Sequence, residues 1–179
     1  MKAWIFRSLA TVVAALVASF GLAAPANAAT RAELKAAATA VAYEQVGGGN
    51  YAKYKTKYPT QLNWGNDGCS VPAAVRNAVP KMEWVLDHYM GVFEKSCDRH
   101  DFGYRNFGKN TSTSGVHPKF SPTQATKDKI DSRFLANMRV QCDQRYDDVW
   151  DIPAKKACRG AANIFYAAVK LGGKGAFFG

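Results

Sequence analysis

The sequence has few of the features that mark membrane-spanning, repetitive or disordered proteins. Among its 179 residues, only the first segment holds a long apolar run, and neither a solenoid-length nor a collagen-like repeat is present. Strand patterns are almost absent as well. The composition is 47% hydrophobic and 21% charged, which is typical of a globular protein. The sequence therefore predicts an all-α fold with one domain, or at most a small pair.

Several motifs of hydrolases and metal proteins are also missing. There is no G-x-S-x-G segment, and no C-x-x-C pair or histidine has the spacing of zinc ligands. The histidines are His88, His100 and His117, of which His88 and His117 lack ligand spacing. These absences disfavour a serine hydrolase, a zinc site and a His-Asp metal phosphohydrolase. Nothing resembles a nucleic-acid-binding motif, so we expect no nucleic-acid partner.

Residues 1–28 have the pattern of a secretory signal peptide. After a positively charged start, an apolar run extends from Leu9 to Leu22, and Ala26 and Ala28 are the small residues of a cleavage site. The run is shorter than the roughly 18–20 residues that span a bilayer. We therefore expect a secreted protein, and removal of the peptide lowers the net charge from +10 to +8. That sign favours contact with anionic lipid or nucleic acid.

Four cysteines follow, namely Cys69, Cys97, Cys142 and Cys158. An even number in an exported protein argues for two disulfides. Three pairings are possible, and we expect the nearest-neighbour one, which joins Cys69 to Cys97 and Cys142 to Cys158.

Periodicity and capping patterns predict four helices. A Thr30–Glu33 capping box begins the first, over residues 30–46, and a glycine run ends it. The others begin near Phe93 and cover 125–142 and 154–171. Tyrosines alternate with lysines over residues 51–58, which suits either a membrane interface or ordinary amphipathic packing.

One histidine and one aspartate are placed unusually on these helices. His100 lies on the same predicted helical face as Cys97 and Tyr104, and Asp131 lies on the apolar side of the next helix. An inward histidine is often only a core residue, but a buried carboxylate needs a partner. If the two helices pack antiparallel, Asp131 can bind His100 and fix its tautomer. Such a pair can activate a water as a general base.

Oxygen ligands for a cation lie close to this histidine in the sequence. Asp101 follows His100, and Asp67 with the backbone carbonyl of Gly68 comes from a turn-rich loop beside Cys69. A set of oxygen ligands suits calcium. The alternatives are an Asx turn at Asp67 and a surface ion pair at Asp101.

Three segments together resemble the bacterial and fungal type of secreted phospholipase A2. The segment Cys97-Asp98-Arg99-His100-Asp101-Phe102-Gly103-Tyr104-Arg105-Asn106 looks like the active-site helix of that family. Residues 129–134 resemble its second helix, and Asp67-Gly68-Cys69 resembles its calcium loop. The similarity covers roughly residues 60–170. The animal type fits less well, because it has cysteines where this chain has Ser96 and Gly103.

The resemblance implies a calcium-dependent enzyme that hydrolyses the sn-2 ester of glycerophospholipids to lysophospholipid and fatty acid. Carried over by position, His100 would activate water, Asp131 would orient His100, and Tyr104 would support the pair. Asp67, Gly68 and Asp101 would bind the calcium ion. The fold implied is a small helical domain on two antiparallel active-site helices with two disulfides.

The domain prediction then has four segments: a signal peptide at 1–28, a helical extension with a glycine linker at 29–50, a phospholipase A2-like catalytic domain at 51–171, and a flexible tail at 172–179. We expect a monomer that meets its phospholipid substrate at a membrane or micelle interface. The alternative is a catalytically silent, cationic membrane-binding protein on the same scaffold. Phe93, Phe107 and Phe134 are candidates for the walls of an acyl-chain slot.

Overall fold

The computed structural model describes residues 29–70, 83–109 and 118–179. The predicted signal peptide therefore lies outside the described residues, as do residues 110–117 of the long loop. The described residues form five α-helices and a short 3-10 turn, with no strand among them. The helices are α1 (Arg31–Ala42), α2 (Asn50–Lys57), α3 (Glu83–Phe107), α4 (Gln124–Arg145) and α5 (Ile152–Phe178), and the turn is Val149–Asp151. The all-α prediction is confirmed.

The first helix begins where the capping pattern predicts. The Thr30 hydroxyl accepts a hydrogen bond from the backbone N–H of Glu33, and the Glu33 carboxylate accepts one from the backbone N–H of Thr30. Each group thereby satisfies a backbone donor that the first turn of a helix leaves unpaired. The helix ends at Ala42, four residues before the predicted end at 46.

Helices α3 and α4 run antiparallel and form the centre of the molecule. His100 contacts Asp131, while Ser96, one turn earlier in α3, contacts Gln141 further along α4. The contacts thus move toward the start of α3 as they move toward the end of α4, which confirms the predicted antiparallel packing. Helix α3 already includes Glu83, ten residues before the predicted start near Phe93.

The last helix is longer than predicted at both ends. It begins at Ile152, with Pro153 in its first turn. Proline is tolerated there because the N–H groups of the first turn have no acceptor within the helix. It continues to Phe178, so the predicted flexible tail at 172–179 is wrong. Phe177 is fully buried, and its carbonyl accepts a hydrogen bond from the backbone N–H of Lys109. Tertiary packing of this aromatic side chain outweighs the low helix propensity of the glycines before it.

Helix α5 lies antiparallel to α4 and is joined to it along its length. Arg159 pairs with Asp143 near one end, and Lys170 pairs with Asp128 near the other. The disulfide Cys142–Cys158 links the same helices, and Cys69–Cys97 links the turn-rich loop to α3. The predicted disulfide pairing is confirmed.

Two hydrophobic clusters fill the interior, and the His100–Asp131 pair lies between them. One cluster gathers α1, residues of the segment after it, the C-terminal half of α3 and Phe177. The other gathers the N-terminal half of α3, the C-terminal half of α4 and much of α5. The His100 ring contacts a member of each, because its centroid is 4.2 Å from that of Tyr104 and 4.6 Å from that of Phe134.

The glycine linker is fastened to the helical core by Glu44. One carboxylate oxygen accepts from the backbone N–H of Asn50, and the other accepts from Tyr51 and from Arg99, the residue before His100. Glu44 and Arg99 are both buried, so their opposite charges compensate each other away from water. Glu44 therefore holds the exposed glycine linker against the helices.

The predicted tyrosine–lysine segment is helix α2. Lys53, Lys55 and Lys57 each place an ammonium group about 5–6 Å from the centroid of a tyrosine ring in the same segment. Tyr51 also packs against Trp64 and Phe102, which supports the amphipathic-packing interpretation of the segment. Within the described ranges, no helix is both long enough and apolar enough to cross a bilayer.

Candidate active site

The structure brings His100, Asp131 and Tyr104 into one hydrogen-bonded group. His100 Nε2 is 3.1 Å from Asp131 Oδ1, and the Tyr104 hydroxyl donates to the same oxygen at 2.7 Å. All three residues are buried, with Asp131 fully so. Because the ionised carboxylate only accepts hydrogen bonds, His100 carries its proton on Nε2. Its other ring nitrogen, Nδ1, is then the basic one.

Lys127 completes the surroundings of Asp131, although it is absent from the site predicted from the sequence. Its ammonium group donates to Asp131 Oδ2 at 2.7 Å and to the backbone carbonyl of Val169 at 3.1 Å. Only 1% of Lys127 is exposed. Its spacing of four residues from Asp131 was the available signal, because this spacing puts both side chains on one helical face.

The charges of this group keep the histidine basic. Burial opposes protonation of His100, but the hydrogen bond with Asp131 and the negative charges of Asp131 and of Asp101, whose Oδ1 is 3.9 Å from Nδ1, outweigh burial and raise its pKa. For Asp131, burial favours the neutral acid, yet hydrogen bonds from His100 and Lys127 lower its pKa. Burial and the charge of Asp131 raise the pKa of Tyr104, which keeps the hydroxyl protonated as a donor. The site thus favours imidazolium, the state that a base reaches after taking a proton.

His100 lines a cavity of about 140 Å³ between α3, α5 and the turn-rich loop. Of the three phenylalanines predicted as walls, Phe134 lines it. Phe93 packs against Phe165 instead, and Phe107 packs against Phe120. The wall on α5 consists of apolar and small residues, namely Phe165, Ala168, Val169, Gly172, Gly173 and Ala176. The last three are absent from the site predicted from the sequence, because their glycine-rich segment is typical of a tail.

Gly173 allows α5 to approach the hydrogen-bonded group. A Cβ atom at this position would lie 2.5 Å from the Tyr104 hydroxyl and 3.3 Å from Lys127 Nζ. A contact of 2.5 Å is far below van der Waals distance. The absence of a side chain is therefore what lets α5 cover Tyr104 and Lys127.

The predicted cation ligands line the same cavity, and their two carboxylates have different partners. Asp101 Oδ2 accepts a hydrogen bond from the backbone N–H of Asp67 at 2.7 Å, which ties the loop to α3. The Asp67 carboxylate itself pairs with Arg105 at 2.6 Å, and its side chain is 62% exposed. Gly68 has a φ of +63°, a backbone conformation that favours glycine.

These residues fit a calcium ion by donor chemistry. Asp67, Gly68 and Asp101 all line the cavity and offer only oxygen, which calcium prefers. The Asp67 carboxylate pairs with Arg105 but is mostly exposed, so it stays accessible to an ion. Within residues 29–70, 83–109 and 118–179, no group of three or more His, Cys, Asp or Glu side chains is arranged to hold a metal ion. Backbone carbonyls would therefore supply much of the coordination.

The two positions that separate this chain from the animal type have structural partners of their own. Ser96 is buried and donates a hydrogen bond to Gln141, which in turn donates to the carbonyl of Val92. Gly103 faces Ile130, and a Cβ there would lie 3.0 Å from an Ile130 methyl group. A polar bridge and a close helix contact thus occupy the positions where the animal type has cysteines.

Most of the chain is similar to known phospholipases A2. The family model described as prokaryotic phospholipase A2 matches residues 45–173, which include every predicted site residue and the last six residues of the predicted extension. A curated relative, "Secretory phospholipase A2" of Beauveria bassiana (strain ARSEF 2860), is 30% identical over 124 residues. The match covers 69% of this chain and 50% of the relative, so the chain spans about half the length of the curated protein that it matches. No solved structure shows significant similarity. The chain belongs to the prokaryotic phospholipase A2 family.

Proposed function

We propose that the protein is a secreted, calcium-dependent phospholipase A2 that hydrolyses the sn-2 ester of glycerophospholipids. The observation that carries the proposal is the buried hydrogen bond between His100 and Asp131, with Nδ1 of His100 left as a base beside a partly apolar cavity. Family membership and the name of the fungal relative support the same activity. The two disulfides support export to an oxidising compartment.

In the proposed reaction, water is the nucleophile. His100 Nδ1 takes a proton from the water as its oxygen attacks the sn-2 carbonyl carbon. Asp131 stabilises the imidazolium that forms, and Tyr104 and Lys127 hold Asp131 in place. When the ester bond breaks, His100 gives the proton to the departing glycerol oxygen. The products are lysophospholipid and free fatty acid, and the ring returns to its starting state.

The chain's oxygen ligands have a separate part in the proposal. Asp101, Gly68 and Asp67 would hold calcium, whose positive charge would stabilise the negative charge that develops on the carbonyl oxygen. The hydrogen bond between Asp101 and the backbone of Asp67 supports this assignment, because it keeps the loop beside His100 before any ion binds. Phe134 and the small residues of α5 offer an apolar surface that suits an acyl chain.

We expect fatty-acid release to require calcium. The mature, oxidised protein is incubated with vesicles of phosphatidylcholine and phosphatidylglycerol, with calcium or with a chelator. Chelation is expected to lower the rate about 100-fold or more, which is the effect of removing an oxyanion-stabilising group from an acyl-transfer enzyme. Calcium is expected to restore the rate and magnesium is not, because magnesium demands a small octahedral shell. Equal rates in chelator and in calcium would contradict the calcium assignment and leave that of His100 intact.

A further inference from the structure

We propose that Lys127 is a positioning residue that orients Asp131 toward His100 and ties both to the cavity wall on α5. This inference rests on the proposed function, because it assigns a role within the same reaction. Lys127 does not touch the cavity itself: it is absent from the lining and only 1% exposed. It therefore acts on catalysis through Asp131.

The contacts of Lys127 leave its side chain little freedom. Its ammonium group donates to Asp131 Oδ2 and to the carbonyl of Val169, and it lies 5.6 Å from the centroid of the Tyr104 ring. An ammonium group can donate three hydrogen bonds, and a buried charge needs partners. Asp131 and Val169 each accept one, and the negative face of the Tyr104 ring stabilises the charge further. Lys127 thus contacts α3, α4 and α5 at one point.

The two oxygens of Asp131 consequently have different tasks. Oδ2 is occupied by Lys127, and Oδ1 accepts from both His100 and Tyr104. Without Lys127, Oδ2 would be a fully buried charged oxygen with no partner, which is costly. The carboxylate would then rotate or lose its charge to satisfy Oδ2. Either change weakens the hydrogen bond that fixes the His100 ring.

Val169 extends the effect to the substrate cavity. Its carbonyl accepts from Lys127, while Val169 itself lines the cavity one turn before Gly173. Lys127 therefore fixes the distance between the catalytic pair and this wall. A change in Lys127 is expected to act on the rate of the chemical step more than on phospholipid binding, because Lys127 itself does not line the cavity.

The chain supplies a matched control in Lys170. The Lys170–Asp128 pair joins the same two helices, and Lys170 is the next residue after Val169. This pair lies at the surface, however, with side chains 39% and 43% exposed, and neither residue lines the cavity. Lys170→Gln therefore removes a lysine between α4 and α5 without removing a contact to Asp131.

The test compares Lys127→Gln with Lys170→Gln in the full mature protein. The glutamine amide nitrogen is one bond closer to Cα than lysine Nζ and carries no charge, so it cannot reproduce both contacts of Lys127. We expect Lys127→Gln to lower kcat by about 10- to 100-fold, as removal of a group that orients a catalytic ligand does, while KM changes less than about twofold. Lys170→Gln is expected to keep both values. In protein labelled with nitrogen-15, the NMR signal of the His100 Nε2–H proton should shift in Lys127→Gln and stay unchanged in Lys170→Gln. The NMR readout needs no turnover, so it separates failure of this inference from failure of the proposed function.

Three results would overturn the inference. They are an unchanged kcat in folded Lys127→Gln, an unchanged His100 Nε2–H signal, and an equal loss of kcat in Lys170→Gln. If Lys127→Gln does not fold, the double variant Lys127→Gln/Asp131→Asn replaces it, because neutralising both partners leaves no buried charge alone. Its kcat should equal that of Asp131→Asn, since Lys127 acts through that carboxylate. A further loss in the double variant would contradict the inference.

Discussion

Replacing His100 with glutamine should lower kcat for phospholipid hydrolysis by about 100- to 10,000-fold, the usual contribution of a general base. Glutamine can still donate a hydrogen bond to Asp131, so the buried carboxylate keeps a partner. Its amide has no basic nitrogen, however, and cannot take the proton from water. The measurement is the initial rate of fatty-acid release from phospholipid vesicles, with circular dichroism and thermal unfolding to establish that the variant is folded.

His88→Gln is the matched control for this prediction. His88 lies on the same helix and is exposed, with its ring against Tyr89. We expect its replacement to leave the rate within about twofold of wild type, in keeping with surface substitutions remote from the site. A folded His100→Gln variant with the wild-type rate would contradict the assignment of His100 as the base. An equal loss in both variants would mean that the assay reports something other than the chemistry at His100.

Gly173→Ala should damage the site although alanine is the better helix former. The new Cβ would lie 2.5 Å from the Tyr104 hydroxyl, and the Tyr104 ring cannot retreat easily because it packs against Phe177 and His100. We expect Tyr104 to move away from Asp131 and kcat to fall about 10- to 100-fold, as with loss of other orienting groups. The free energy of unfolding should fall by about 1–3 kcal/mol, the usual cost of overpacking.

Gly160→Ala separates this clash from helix propensity. Gly160 lies in the same helix, and a Cβ there would meet nothing within 4 Å. We expect this variant to gain up to about 1 kcal/mol of stability from helix propensity and to keep its kcat. Denaturant unfolding gives the stability of both variants, and phospholipid hydrolysis in vesicles gives their kcat. A Gly173→Ala variant that matches Gly160→Ala in both respects would show that α5 does not need to approach Tyr104 so closely.

The sequence was sufficient to predict the helices that bury one face. Phe93, His100 and Tyr104 recur at helical spacing, so their common face could be predicted, and all three are buried. Asp131 was informative for the opposite reason, since a carboxylate on an apolar face implies a partner. The disulfide pairing followed from export and proximity in sequence.

Features that depend on contacts between distant segments escaped prediction. The last turns of α5 are rich in glycine, and their helical conformation depends on Phe177 being buried against residues around Tyr104. In the sequence, Lys127 resembles an ordinary surface lysine, and only the packing of α5 shows that it is buried. The ionic contact of Glu44 with Arg99 joins residues 55 positions apart, and no local pattern indicates it.

The central claim is that a water activated by His100 cleaves the sn-2 ester. It is tested most directly with phosphatidylcholine and phosphatidylglycerol vesicles whose sn-1 and sn-2 chains differ, incubated with the mature protein and calcium in oxygen-18 water. Mass spectrometry of the products should find the sn-2 fatty acid with one labelled oxygen, and an unlabelled lysophospholipid that retains its sn-1 chain. Folded, oxidised protein that binds these vesicles and releases no fatty acid would contradict the account, and would identify a silent membrane-binding protein on this scaffold.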